Sequence, residues 1–274
     1  MFDTKKLIDN YYKGFKKSSV LDYITLNQSH KIEEFQSYGN KISIILLEMI
    51  KNYEFFKFEE SQMLEIGCGL GRLLLPMANY FDKIYGIDIS EEIILECKKY
   101  FQLNNVKNYE VFVNNGYDLN MFQDNSLEYC FSSGVFQHVV DYASIDNYIK
   151  ETMRILKING IFLFQFQSIW EHETGKGRKG AKITAKKLNK TLLNKNYKIL
   201  EINYDPYDPM RQFVIIIQKT KEPCVENDFS KFKVTKKLFR TKCIDFSQEE
   251  SQSHEQWMNF LENPQDRKRI TFFD

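Results

Sequence analysis

The chain has little of several features that define special protein classes. Its 274 residues include only five prolines, twelve glycines and five cysteines, and no two cysteines form a Cys-x-x-Cys pair. An odd, scattered set of cysteines argues against a disulfide framework and a zinc site, and we predict no metal. No apolar stretch approaches the length of a membrane span. Charged residues occur throughout positions 1–20, so we expect no signal peptide.

The chain also lacks an excess of either charge. Lys and Arg number 38, and Asp and Glu number 37. Bulk electrostatics therefore give no reason to expect a nucleic-acid or membrane partner. The length supports one large domain with appendages or two small ones. We expect a cytoplasmic protein, and whether it is a monomer or a homodimer stays open.

A glycine-rich segment is the most informative feature that is present. An apolar run from Met63 ends in three glycines at alternate positions, Gly67, Gly69 and Gly71. The apolar residues after them recur at helical spacing. A second short apolar run then ends at Asp88. The segment thus contains, in order, a strand, a glycine turn, a helix, a second strand and an acidic residue, as nucleotide-binding sites do. Glycine lets a ligand approach the main chain, and the acidic side chain can accept both ribose hydroxyls.

The spacing of the glycines indicates which nucleotide is bound. A dinucleotide fingerprint reads G-x-G-x-x-G, and its third glycine would fall on Arg72 here. Glu65, at the end of the first strand, would repel a pyrophosphate but could help to orient a cation. A cationic amino-acid nucleoside fits better than NAD. The alternative is a glycine-rich turn that binds no ligand.

These residues resemble the class I S-adenosylmethionine-dependent methyltransferases, in the small-molecule group with a motif like L-E-I-G-C-G-x-G-R. The resemblance covers most of residues 61–219 and includes the segments Asp124–Ser132 and Arg154–Gly160. It implies S-adenosyl-L-methionine as cofactor and S-adenosyl-L-homocysteine as product. The implied cofactor-binding residues are Glu65, Gly67, Gly69, Gly71, Asp88, Ile89, Asn115, Gly116, Ser133, Tyr12 and Tyr38. Asn115 stands where the family often has the Asp that reads adenine.

Alternating strands and helices predict an α/β fold with the seven-stranded, Rossmann-like methyltransferase sheet, mostly parallel with an antiparallel last strand. We predict a helical N-terminal cap over 1–60, the cofactor-binding domain over 61–219 and a C-terminal extension over 220–274. The predicted strands are 63–66, 84–87, 109–113, 127–132, 161–167, 198–204 and 213–218. The predicted helices are 72–81, 90–102, 144–157 and 184–195.

Candidate acceptor-side residues follow the fourth and fifth strands, because ligands of open α/β sheets bind beyond the carboxyl ends of the strands. His138 could take a proton from a hydroxyl, or it could fix the loop by bonding to backbone. His172 is a second candidate for catalysis. The candidate substrate contacts are Gln137, Gln165, Gln167 and Trp170, and an exposed turn is the alternative for the segment after the fifth strand.

Several other features have more than one interpretation. Tyr12 and Tyr38 could contact the methionine carboxylate or could pack as ordinary aromatics. Arg72 could pair with that carboxylate or with Glu65. The Lys-rich run 174–190 could bind a phosphate or could be a solvated loop. The extension 220–274 could dock on the core, complete a pocket or form a dimer contact.

The sequence thus predicts an S-adenosylmethionine-dependent methyltransferase for a small polar metabolite. O-methylation of a sugar or sugar-phosphate type of acceptor is the leading hypothesis, and it rests on the group of methyltransferases that the chain resembles. A small-molecule N-methyltransferase, a protein methyltransferase and a non-catalytic S-adenosylmethionine-binding protein are the alternatives.

Overall fold

The computed structural model of the protein describes residues 32–53, 55–167, 181, 183, 185–192, 195–204, 212–223 and 232–234. Its α-helices are α1 (Ile32–Lys51), α2 (Leu74–Met77), α3 (Glu91–Leu103), α4 (Tyr142–Ile155) and α5 (Ala185–Leu192). Its strands are β1 (Gln62–Ile66), β2 (Lys83–Asp88), β3 (Tyr109–Val113), β4 (Leu127–Ser132), β5 (Leu156–Gln167), β6 (Tyr197–Tyr204), β7 (Gln212–Lys219) and β8 (Phe232–Val234). None of the helices described is long and apolar enough to cross a membrane.

The strands form one sheet in the order β3-β2-β1-β4-β5-β7-β6-β8. β1 pairs in parallel with β2 and β4, and β2 pairs in parallel with β3. β7 pairs antiparallel with β6. The predicted seven-stranded, mostly parallel methyltransferase sheet is therefore confirmed. An eighth strand, β8, comes from the predicted C-terminal extension and pairs in parallel with β6.

The chain divides into two compact units. The first comprises Met1–Ser132 and Asn147–Phe162, and the second comprises Ser133–Asp146 and Leu163–Asp274. The first unit has a cluster of aromatic rings with centroids 5.2–6.4 Å apart, made of Phe58, Phe81, Tyr129 and Phe131. The second has a similar cluster of Phe136, Phe164, Phe166 and Phe213. The division crosses β5, so it differs from the three predicted zones, whose boundaries stay predictions.

Three predicted helices differ from the structure by two or more residues at an end. The helix predicted over 184–195 ends at Leu192. The helix predicted over 72–81 is only the short α2, with turns on both sides. Pro76 lies within it, and because proline has no amide N–H, a helix running through 72–81 would lose a hydrogen bond there. The helix predicted to end at 157 ends at Ile155, and β5 begins at the next residue. β5 begins five residues before the predicted start at 161, and it includes Asn159, which has a left-handed φ of 71°.

Candidate functional site

The glycine loop connects β1 to α2 at the carboxyl end of β1. The backbone amides of Gly67 and Cys68 both donate to the carbonyl oxygen of Ile87 in β2, at 2.8 and 2.9 Å. Gly71 has a φ of 84°, and a Cβ atom on it would lie 2.2 Å from the ring of Phe101 in α3. The third glycine thus serves the packing of α3 against the loop, and it also allows the left-handed turn.

Asp88 lies at the end of β2 with its carboxylate against backbone amides. The Gly69 amide donates to Oδ2 at 3.1 Å, and the Ser90 amide donates to Oδ1 at 3.0 Å. Burial raises the pKa of Asp88, and hydrogen bonds from the backbone of Ser90, Gly69 and Ile89 oppose that rise. Each carboxylate oxygen keeps a second acceptor site, so the group can still receive two hydroxyl donors.

Glu65 is a buried carboxyl group at the end of β1, only 4% exposed. Its Oε2 atom has no hydrogen-bond partner among the described residues. Burial raises the pKa of Glu65 to about 8; the charge of Arg72 lowers it and that of Asp88 raises it. A cation beside these two carboxyl groups would favour their ionised forms.

Arg72 and Tyr38 lie together beyond the glycine loop. The Arg72 guanidinium carbon is 4.8 Å from the centroid of the Tyr38 ring, in a cation–π contact. The Tyr38 side chain is 46% exposed. Pairing of Arg72 with Glu65, and contact of Arg72 or Tyr38 with a cofactor carboxylate, stay predictions.

The segment after β3 carries the predicted adenine-reading pair. Asn115 Oδ1 accepts from the amides of Tyr117 and Asp118 at 2.9 and 3.0 Å, so it organises its own loop. The Asn114 amide donates to the Asp88 carbonyl oxygen at 2.8 Å, which joins this loop to β2. A role for Asn115 and Gly116 in reading adenine stays a prediction.

Asn114 and Tyr148 are residues at this edge that the sequence did not single out. The buried Asn114 Oδ1 accepts from the Gly116 amide at 2.8 Å and from the Tyr148 hydroxyl at 2.5 Å. Burial, together with the charges of Asp88 and Asp118, raises the pKa of Tyr148. The two residues are 34 positions apart, and no local pattern signals their contact. They brace the loop that carries Asn115 and Gly116.

In the second unit, the loop after β4 is held by amide side chains. Gln165 Oε1 accepts from the Ser133 hydroxyl at 3.1 Å and from the Gly134 amide at 2.8 Å. The Gln137 Nε2 atom donates to the Gly134 carbonyl oxygen at 3.0 Å and lies 3.4 Å from His138 Nε2. The structure thus brings together four predicted residues: Ser133, Gln137, His138 and Gln165.

Other predicted residues lie outside the described part of the chain. They are Tyr12, Trp170 and His172, together with the side chain of Gln167 and most of the Lys-rich run 174–190. Within the residues that the structure describes, no group of three or more His, Cys, Asp or Glu side chains could hold a metal ion.

The edge formed by β1, β2 and β3 fits S-adenosylmethionine. Among the residues that the structure describes, Oε2 of buried Glu65 has no hydrogen-bond partner, which suits a ligand that carries positive charge. The Asp88 carboxylate suits a ribose diol. Gly67 and Gly69 have left-handed φ values of 73° and 55°, and they leave the main chain open to a ligand without a Cβ atom in the way.

Comparison with known proteins agrees with this geometry. Residues 64–164 match a family model described as a methyltransferase domain. A methyltransferase from Methanosarcina mazei is 23% identical, over 64% of this chain and 98% of that one, with a TM-score of 0.52. Magnesium protoporphyrin IX methyltransferase from Synechocystis, with bound S-adenosylmethionine, is 13% identical, over 80% and 99% of the two chains, with a TM-score of 0.58.

A methyltransferase from Clostridium acetobutylicum gives a similar result, at 14% identity over 73% of this chain and 96% of that one, with a TM-score of 0.56. At such identities the solved structures show the fold alone. The family model adds the assignment of residues 64–164, which include the glycine loop and Asp88. Residues 64–164 thus match a methyltransferase-domain family, their fold is that of S-adenosylmethionine-dependent methyltransferases, and the edge formed by β1, β2 and β3 fits S-adenosyl-L-methionine as the cofactor.

Proposed function

We propose that this methyltransferase methylates a hydroxyl group of a small polar metabolite, of the sugar or sugar-phosphate type. The observation that carries the proposal is the chemistry of the loop after β4. Residues 133–140 contain no charged side chain, and neither do the last eight residues of β5, 160–167. Their polar groups are the hydroxyl of Ser133, an imidazole and three glutamine amides.

Neutral hydrogen-bonding groups suit a hydroxyl better than an amine. A protonated amine taken out of water needs an anionic partner, and these two segments supply none. A sugar hydroxyl needs hydrogen-bond donors and acceptors and, as methyl transfer proceeds, a group that takes its proton. His138 and His172 are the predicted candidates for that group.

The residues around the cofactor would perform separate tasks. Asp88 would accept the ribose hydroxyls, and Glu65 would stabilise the positive end of the nucleoside. The cofactor supplies an activated methyl group on a sulfonium, so the acceptor oxygen forms a bond to the methyl carbon while the carbon–sulfur bond breaks. Holding these atoms in line can supply about 7–11 kcal/mol of the barrier, and the protein need do little more.

The acceptor class is tested with methyl-labelled S-adenosylmethionine. The full chain is incubated with separate panels of sugars, sugar phosphates and small amines, and with a fractionated metabolite extract. We expect label in an O-methyl product from a sugar-containing panel. Label in amines alone, or in no small molecule, would overturn the proposal, and label in protein would indicate a protein methyltransferase instead.

The cofactor site is tested by Asp88→Asn, which keeps the shape of the side chain but removes its charge. Because hydrogen bonds to a charged group contribute about 1.5–3 kcal/mol, we expect S-adenosylhomocysteine to bind roughly 10- to 100-fold more weakly. Titration calorimetry measures the affinity. Asp82→Asn is the matched control, since Asp82 is exposed and precedes β2 at the opposite end of that strand. Equal affinities for both variants would remove Asp88 from the site.

A further inference from the structure

The peptide groups at Gly134 are held by two glutamine side chains. Gly134 follows β4 with a left-handed φ of 75°. Its amide donates to Gln165 Oε1 at 2.8 Å, and its carbonyl oxygen accepts from Gln137 Nε2 at 3.0 Å. Gln165 is 5% exposed and Gln137 is 4% exposed. Two buried amides therefore fix a glycine that could otherwise adopt many conformations.

The contact with the Gly134 carbonyl oxygen also shows which atom of the Gln137 amide is the nitrogen and which is the oxygen. A carbonyl oxygen can only accept, so the Gln137 atom 3.0 Å away must be the NH2 group. That same nitrogen lies 3.4 Å from His138 Nε2. Because an NH2 group can only donate, His138 Nε2 must be the acceptor, and the proton of the neutral ring must lie on Nδ1.

We propose that Gln165 and Gln137 are positioning residues of the acceptor-side loop, and that Gln137 fixes His138 as a neutral imidazole with its proton on Nδ1. The order of contacts is Gln165, Gly134, Gln137 and His138. This inference rests on the proposed function only in placing the loop on the acceptor side. The tautomer itself follows from the contacts in the second unit.

The proposal changes the role of three predicted residues. Gln137 and Gln165 act first on the loop, and substrate contact is not needed to explain their burial. His138 Nε2 holds a hydrogen bond, so it does not take a proton from the acceptor while the loop keeps this conformation. His138 thus belongs with the residues that position the loop, through the Gln137 side chain, where the sequence suggested a bond to backbone. Of the two predicted candidates for taking the acceptor proton, this leaves His172.

The test is nitrogen NMR of the imidazole rings of the full chain at neutral pH. The chain has four histidines, and the signal lost in His138→Gln assigns the one of interest. We expect the wild-type His138 Nε2 to show the shift of an unprotonated nitrogen and Nδ1 that of a protonated one. A proton on Nε2 in the wild type would overturn the proposal without any variant.

Variants test the two glutamines. Gln137→Met should move the His138 proton towards Nε2, the tautomer that free imidazole side chains favour in water. Gln165→Met should also disturb the His138 signals, whereas Gln165→Glu should restore them because it keeps an acceptor oxygen for Ser133 and Gly134. Val140→Ala is the control, since Val140 is the last residue of the loop and is 43% exposed. An unchanged tautomer in Gln137→Met would contradict the assignment.

Two further measurements separate this proposal from the proposed function. Each variant is titrated with S-adenosylhomocysteine, and unchanged affinity shows that the variant is folded and that the cofactor site is intact. With the acceptor found in the labelling experiment, Gln165→Met should lower kcat about tenfold or more and leave the KM for the cofactor unchanged. Equal losses in Gln165→Met and Gln165→Glu would contradict positioning. Failure to find a sugar acceptor would leave the tautomer result standing.

Discussion

At the scale of single residues, Glu65 couples the stability of the fold to pH. Its pKa rises from 4.5 to about 8, chiefly because the carboxyl group is buried. Between these two values the unfolded chain releases the proton while the folded chain keeps it. The free energy of unfolding therefore falls as pH rises through this interval, and the loss is complete above about pH 8.

Replacing Glu65 with glutamine should remove this pH dependence. We expect Glu65→Gln to match the wild type at pH 4 and to be more stable at pH 9, by up to about 5 kcal/mol at 1.36 kcal/mol per pK unit. Chemical denaturation across this pH range measures the difference. Glu48→Gln is the control, because Glu48 is exposed on α1. Parallel pH profiles for the wild type and Glu65→Gln would contradict the prediction.

Much of the cofactor edge could be predicted from sequence, because the groups that build it lie close to the ends of strands. Glu65 ends the first apolar run and Asp88 ends the second, so both sit at the carboxyl edge of a parallel sheet. The hydrogen bond from Tyr148 to Asn114 could not be predicted in this way, since it joins a helix to a loop across 34 positions. Only the packed structure brings these two residues together.

At the scale of elements, α1 docks directly on the exit of the glycine loop. A Cβ atom on Gly39 would lie 2.1 Å from the backbone carbonyl oxygen of Arg72. One turn later, the buried Ser43 hydroxyl donates to the carbonyl oxygen of Leu73 at 3.2 Å. Backbone contact and a hydrogen bond thus join the N-terminal helix to the segment that follows Gly71.

Gly39→Ala should loosen this contact, because the neighbour of the new methyl group is backbone and cannot rotate away. Overpacking of this kind costs about 1–3 kcal/mol, and we expect faster hydrogen exchange in α1 and around Leu73. Mass spectrometry of exchanged peptides measures it. Asn40→Ala is the matched control, since Asn40 is the next residue and is exposed. Equal exchange in the two variants would show that α1 does not depend on this approach.

The predicted elements were accurate where the residues of the element itself determine its structure. β1 begins one residue before its predicted segment, and β2 is longer than its predicted segment by one residue at each end. These two predictions were accurate because an apolar run between turn residues is typical of a buried strand. The predicted helix over 72–81 was too long, because the prediction relied on the periodic apolar pattern and gave no weight to Pro76. β8 was not predicted, since Phe232–Val234 is too short for alternation to be recognised.

At the scale of the whole molecule, the sheet ends in the edge strands β3 and β8. β8 consists of three residues, and its backbone pairs with β6 in the register Ile202–Phe232, Asn203–Lys233 and Tyr204–Val234. A very short edge strand limits pairing with other chains. A segment outside the predicted methyltransferase domain thus covers backbone groups of β6 that would otherwise form the edge.

Proline substitutions in β8 should show whether this cover matters. Successive backbone amides of a strand point to opposite sides, so one of the amides of Lys233 and Val234 faces β6 and the other faces away. Proline has no amide N–H, so only one of the variants Lys233→Pro and Val234→Pro removes a donor that faces β6. We expect one proline variant, and not both, to speed hydrogen exchange in β6 and to promote self-association at high concentration. Lys233→Ala and Val234→Ala are the matched controls. If both proline variants behave like the alanine variants, the pairing of β8 does not protect β6, and the C-terminal extension must be assigned another role.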